Sequence, residues 1–183
     1  MAMTTTTKSK WIIDPSHSEI SFKVKHLMIS NVKGVFNEFK GSIQTEGDVL
    51  IADSIEFSLN PASVDTSSAD RDAHLRSADF FDAEKYKTLE FKGKSIKKGD
   101  EAGTLILEGD LTIKSISKPV KLNVEFGGKM KDPWGNEKAG YTVTGKINRK
   151  DWGLNWNAAL EAGGVLVSDD VAILCEVQLL KQS

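Results

Sequence analysis

Apolar and polar residues alternate with a period of two along most of this chain, which restricts it to antiparallel β structure with one buried face. In Leu105 to Ile113 and Val120 to Phe126, every second residue is apolar or glycine. Eight segments carry the pattern. The predicted strands are 18–28, 33–45, 48–60, 88–97, 103–114, 117–129, 139–150 and 168–181.

Short links rich in turn-forming residues separate these strands, among them Gly47-Asp48, Ser117-Lys118-Pro119 and the segment 132–136. Consecutive hairpins form an up-and-down meander, and eight strands is the number at which a meander closes around one ligand. Strands of about 12 residues give a barrel about 30 Å tall. The height suits an elongated ligand.

Two segments interrupt the β pattern. Pro61 to Lys87 is too long for a plain connection, and its residues 67–70 have a helix-start pattern. A helical region over 66–82 is therefore predicted, with Arg71, His74, Leu75 and Ala78 on one stripe. The second interruption, Trp152 to Gly164, is an aromatic connection before the last strand. The predicted fold is all-β: an extended eight-stranded antiparallel up-and-down β-barrel with a short helical insertion.

At 183 residues the chain fits one domain, predicted at 11–183 after a disordered lead-in at 1–10. The lead-in has no apolar core of a signal peptide, so a cytoplasmic location is expected, or a periplasmic one if a leader has been removed. The net charge of −2, with mixed signs, argues against nucleic acid as a partner. The single cysteine, Cys175, excludes an internal disulfide and is predicted to pack in the interior.

The chain has three histidines, and a three-histidine zinc site would need all of them. His17 and His26 are nine residues apart, which places them on opposite faces of one strand. No metal site is therefore predicted, and His17 is interpreted as a turn or cap residue. His26 continues an inward apolar face, so it is either a hydrogen-bonded rim residue or a ligand contact.

Arg71 and His74 share a helical stripe with Leu75, which should face the barrel. Inward cations are costly unless they are paired. Their partners are either nearby aspartates or an anionic ligand head. The candidate aspartates are Asp70, Asp72 and Asp79.

The other inward residues are almost all apolar, which fits either a packed core or a ligand cavity. Inward Gly109 and Gly145 favour the cavity, because each leaves space halfway along a strand. No nucleophile elbow or phosphate-binding loop is present, so no catalytic residue is predicted.

Three motifs resemble those of the YceI-like polyisoprenoid-binding family. They are Asp14-Pro15-Ser16-His17-Ser18-Glu19-Ile20-Ser21-Phe22-Lys23-Val24-Lys25-His26-Leu27-Met28, Arg71-Asp72-Ala73-His74-Leu75 with Ala78-Asp79-Phe80-Phe81, and Arg149-Lys150-Asp151-Trp152-Gly153-Leu154. The similarity runs from about Trp11 to Leu179. It implies a lipocalin-like barrel that binds a long isoprenoid, such as a polyprenyl pyrophosphate or the tail of a quinone.

The first hypothesis is a non-enzymatic protein that binds a polyprenyl phosphate or isoprenoid quinone for storage, transport or shielding, with no other cofactor. The alternatives are an enzyme using His26, His74 and Arg71 as acid–base and anion-binding groups, and an interaction module with a packed barrel. Transient membrane contact and a homodimer are further expectations. The predicted ligand contacts are Phe22, Val24, His26, Phe36, Phe39, Phe57, Leu59, Arg71, His74, Leu75, Phe80, Phe81, Phe91, Gly109, Gly145 and Trp152.

Overall fold

One antiparallel sheet forms the body of the computed structural model, which describes residues 7–160 and 166–183. Its strands in the described residues are β1 (Lys8–Ile13), β2 (Glu19–His26), β3 (Ser30–Phe36), β4 (Phe39–Glu46), β5 (Val49–Leu59), β6 (Val64–Asp65), β7 (Leu89–Lys98), β8 (Thr104–Ile113), β9 (Ile116–Lys131), β10 (Glu137–Asn148) and β11 (Val167–Lys181). The helix α1 spans Ala69–Arg76. No helix in these residues has the length and apolar character needed to cross a bilayer.

The sheet closes on itself. Its order runs β1, β4, β5, β7, β8, β9, β10, β11, and β11 pairs again with β1, where Trp11 lies beside Lys181. β1 and β2, separated by a short break, together form one long, bent strand of the barrel. β3 and β4 form another in the same way. The predicted eight-stranded antiparallel up-and-down barrel is confirmed.

The barrel begins earlier than the sequence indicated. Lys8–Ile13 pairs with β4 and β11, so the predicted disordered lead-in is wrong for residues 8–10. Residues 1–6 lie outside the described part. A turn at Pro15–His17, capped by Asp14, interrupts the alternation between β1 and β2. Ile13 and Ile20 both contact the barrel interior although they are seven positions apart, an odd offset that would place them on opposite faces of one strand. The turn between them shifts the register of the alternation.

The helix is shorter than predicted. α1 ends at Arg76, and turns replace helix over 77–82. The Ser68 hydroxyl, not that of Ser67, caps it by accepting the Arg71 N–H at 3.4 Å. We call the end of the barrel with α1 and the β2–β3 turn the helix end. The opposite end, with the β9–β10 turn, is the far end, since β11 runs from His26 at one end to Lys138 at the other.

A small buried cluster fills the interior at the far end. It contains Trp11, Ile43, Ala139 and Leu179, and the Trp11 indole donates to the Thr45 hydroxyl at 3.0 Å. The larger core cluster lies between this cluster and α1.

Candidate functional site

An apolar cavity of about 600 Å³ lies inside the barrel. The volume is within the range of small-molecule sites, which is about 300–1,000 Å³. In a packed core the inward side chains would be almost fully buried. Several inward side chains around this space are only half-buried because they face it: Phe22, Val24, Phe57, Val143, Ile147 and Ile173. The interior is therefore a cavity and not a filled core.

The glycines that the sequence pointed to do not create this space. The position that a Cβ would occupy on Gly109 is taken by the Lys92 carbonyl oxygen and the Phe91 ring. A Cβ on Gly145 would lie 2.6 Å from Leu122 Cδ2. The interpretation that these glycines leave unfilled room is wrong, because neighbouring groups fold over each of them.

Most of the predicted ligand contacts do line the cavity: Phe22, Val24, His26, Phe36, Phe57, Leu59, Arg71, His74, Leu75, Phe80, Phe81 and Phe91. Four do not. Gly109 and Gly145 are covered, and Phe39 packs on the core from outside the cavity. Trp152 is 2% exposed and donates to the Leu111 carbonyl at 2.9 Å, so it is a structural core residue.

Arg71 lies at the helix end of the cavity, and its partner is a threonine. Its Nε donates to Thr66 Oγ1 at 2.8 Å and its Nη2 to the Thr66 carbonyl at 2.7 Å. Asp72, one of the predicted partners, is buried and instead accepts from Thr66. Arg71 makes no ion pair among the described residues, so its charge is held in place without being neutralised.

His74 does have an acidic partner. Its Nε2 lies 2.9 Å from Asp79 Oδ2. The ring also makes edge contacts with Phe80 and Trp156, with centroids 5.1 and 4.6 Å apart. Of the two readings from sequence, aspartate pairing therefore holds for His74 and not for Arg71.

His26 is half-buried and lines the cavity. Its ring has no hydrogen-bond partner in the described part of the chain. The alternative that it is a hydrogen-bonded rim residue is therefore not supported. A free imidazole at this place can donate to or accept from a ligand head.

Arg149 and Trp156 are among the cavity residues that the sequence did not point to. Both line the cavity at the helix end. Arg149 is 3% exposed and donates to the Leu154, Trp156, Val167 and Ser168 carbonyls, which fixes the connection before β11. Burial lowers the pKa of its guanidinium, and Asp169 opposes that shift. The aromatic connection after the third motif was the available signal for Trp156.

The remaining titratable candidates lie elsewhere or are inert. His17 is in the exposed turn before β2, 2.8 Å from Asp14. It is therefore a turn residue, one of its two interpretations from sequence, and Asp14 is the cap. Hydrogen bonds from Ser16 and His17 hold the Asp14 pKa well below its usual value. The described residues contain no group of three metal-binding side chains. Burial raises the pKa of Cys175 to about 11.

Comparison with known proteins identifies the fold family. A family model described as the YceI-like domain matches residues 11–179. This chain belongs to the YceI-like family. The YceI-like chain is 41% identical over 166 residues to a UPF0312 protein of Staphylococcus epidermidis, covering 89% of this chain and 92% of the relative.

Solved structures agree with the family assignment. The Campylobacter jejuni YCEI protein is 33% identical with a TM-score of 0.74, over 87% of this chain and 90% of that one. A polyisoprenoid binding domain from Saccharophagus degradans has a TM-score of 0.65 at 14% identity, over 94% and 98% of the two chains. At that identity the second match shows a shared fold.

Proposed function

We propose that this YceI-like protein binds a long isoprenoid lipid, with the tail in the cavity and the head at the helix end. One observation carries the proposal: the cavity is apolar over its length, and its cationic and imidazole groups gather at one end. A hydrocarbon tail with one polar head has the same distribution of polarity.

Burial of the tail would supply most of the affinity. Removing apolar carbon from water contributes about 0.8 kcal/mol per CH₂ group, or about 4 kcal/mol for a five-carbon isoprene unit. Ordering a flexible chain and associating two molecules cost several kcal/mol in return. A tail of a few isoprene units therefore gives net binding, and the head determines which lipid is preferred.

The polar end favours a head that accepts hydrogen bonds. Among the described residues, the Arg71 guanidinium makes no ion pair and the His26 ring has no hydrogen-bond partner. Trp156 offers an aromatic face beside His74. A phosphate can take charge-assisted hydrogen bonds from such groups, and a quinone carbonyl can take neutral ones. A polyprenyl phosphate or an isoprenoid quinone is thus the proposed ligand.

The comparisons support the same ligand class. The Saccharophagus degradans domain, which shares this fold, is described as binding polyisoprenoid. Together with the three sequence motifs, this favours storage, transport or shielding of an isoprenoid over chemistry on it.

Native mass spectrometry of the purified protein, followed by organic extraction and lipid analysis, tests the proposal. We expect an added mass that is released by solvent and identified as a prenyl lipid. A protein that carries no added mass and takes up no polyprenyl phosphate or quinone from detergent would contradict it. Changing His26 and His74 to alanine separates binder from enzyme. A binder keeps its tail ligand, whereas an enzyme loses turnover with binding intact.

A further inference from the structure

A short apolar turn projects from the helix end, directly after the cavity residue His26. The turn consists of Leu27, Met28 and Ile29, between β2 and β3. Met28 is 58% exposed and Ile29 is 82% exposed. Single exposed apolar residues are ordinary, but consecutive ones at a projecting tip form a patch that marks an interaction site.

The backbone of this turn is unfavourable for the residues it holds. Leu27 and Met28 have φ values of 53° and 61°, and the Ile29 N–H donates to the His26 carbonyl at 3.2 Å. Asparagine and glycine adopt such left-handed positions readily, whereas large side chains do so at a cost. The turn is therefore strained and exposes apolar side chains, and backbone strain of this kind is common at functional sites.

Positive charge lies just behind the tip. Lys23 and Lys25 are exposed on the outer face of β2, and neither makes an ion pair within the ranges 7–160 and 166–183. At about 3.3 Å per residue, Lys23 lies about 13 Å and Lys25 about 7 Å from Leu27. The neighbouring carboxylates on β11 are already paired, Asp169 with Lys150 and Asp170 with Lys146.

The tip lies on the same side of the barrel as the polar end of the cavity. His26, the last residue before the turn, lines the cavity. The Leu27 N–H donates to the Leu166 carbonyl at 2.9 Å, and Leu166 also lines it. A surface that contacts the tip would therefore face the polar end of the cavity.

We propose that the helix end docks on an anionic lipid bilayer, with Leu27–Ile29 entering the headgroup region. Apolar burial and attraction of Lys23 and Lys25 to anionic headgroups hold it there. The cavity then exchanges its ligand directly with the membrane. This rests on the proposed function for the exchanged lipid, whereas docking itself is tested without any isoprenoid.

Co-sedimentation with vesicles of phosphatidylcholine and phosphatidylglycerol tests docking. Ile29→Asp removes apolar burial and adds a repelled charge, so we expect partition to fall about tenfold or more. The matched control is Trp134→Asp, at an 83% exposed position on the far end, and it should partition like the wild type. Pure phosphatidylcholine vesicles should bind the wild type more weakly than anionic ones.

A second variant separates docking from misfolding. Leu27→Asn with Met28→Gly suits the backbone of the turn, so we expect a higher melting temperature together with weaker partition. The control is the β8–β9 turn at the same end, where Lys114 and Ser115 also have positive φ of 52° and 64°. Ser115→Gly alone, which keeps the Lys114 charge, should raise the melting temperature and leave partition unchanged.

Each outcome decides the proposal. If the wild-type protein does not co-sediment with anionic vesicles, the docking proposal is wrong, and the tip would more plainly suit a protein partner. Equal partition of wild type and Ile29→Asp would overturn it as well. Uptake of polyprenyl phosphate from detergent is measured separately and should be the same for both proteins. Failure of that uptake counts against the proposed ligand, and the vesicle data still decide docking.

Discussion

Arg71 contacts Thr66 through two parallel hydrogen bonds, from Nε to the hydroxyl at 2.8 Å and from Nη2 to the carbonyl at 2.7 Å. Thr66 is itself fixed, because its N–H and hydroxyl both donate to Asp72 Oδ1, at 2.8 and 2.6 Å. The guanidinium is thus positioned beside the cavity by a neutral residue. Because the guanidinium is already oriented, little further side-chain entropy is lost when an anion binds.

Arg71→Ala should therefore weaken binding of a polyprenyl phosphate much more than that of the matching neutral alcohol. Loss of one charge-assisted contact costs about 1.5–3 kcal/mol, and the alcohol should show almost no change. Titration calorimetry of both ligands measures the difference. Arg76→Ala, on the same helix but away from the cavity, is the control. Equal losses for the two ligands would mean that Arg71 acts through the structure alone.

The two inward glycines should differ in their tolerance of a methyl group. At Gly109 the added Cβ meets a backbone carbonyl, which cannot move away, so Gly109→Ala should destabilise the fold by about 1–3 kcal/mol. At Gly145 it meets the tip of Leu122, which can rotate, so the loss should be smaller. Urea unfolding measures both. A larger loss at Gly145 would contradict the packing described here.

Filling the cavity requires a residue that faces it, such as Val143. Val143→Phe should lower the lipid occupancy while keeping most of the stability, because the added ring enters free space. Gly145→Phe is the matched variant on the same strand, and it should reduce stability through Leu122. Native mass spectrometry and thermal melts compare the pair. Undiminished occupancy in Val143→Phe would place the ligand elsewhere.

Arg149 should be essential for the helix end. Arg149→Met leaves several buried carbonyls without a donor, at about 1–3 kcal/mol each. We expect a loss of more than about 3 kcal/mol in unfolding free energy and an altered environment of Trp156, measured by fluorescence. Lys150→Ala, at the exposed neighbouring position, is the control. A wild-type melt for Arg149→Met would show that the connection is held by other contacts.

Cys175 should react slowly with alkylating reagents. Because burial raises its pKa from 9.0 to about 11, the thiolate fraction at pH 8 is lower by about two powers of ten. The rate should rise about tenfold per pH unit toward pH 10, since the thiolate is the reacting form. Mass spectrometry of iodoacetamide adducts, folded and in urea, measures this. Equal rates in the two conditions would contradict a buried thiol.

Alternation with a period of two is sufficient to predict the barrel, because it depends only on which face of each strand meets water. The second half of the chain, from Leu105 to Leu179, shows this most clearly. The sequence did not predict β1, because Pro15 starts a turn that shifts the alternation and because residues 8–10 are polar. Periodicity cannot carry a register across such a break.

The same alternation indicates which residues face inward, but the groups that these residues contact depend on how the strands pack in three dimensions. Phe22 and Trp152 are both inward aromatics, yet one lines open space and the other is packed at 2% exposure. The alternation indicates free space at Gly109 and Gly145, but groups on neighbouring strands cover both positions. Parity is a property of one strand, whereas free volume and hydrogen-bond partners depend on groups distant in sequence, such as the Leu111 carbonyl that accepts from the Trp152 indole.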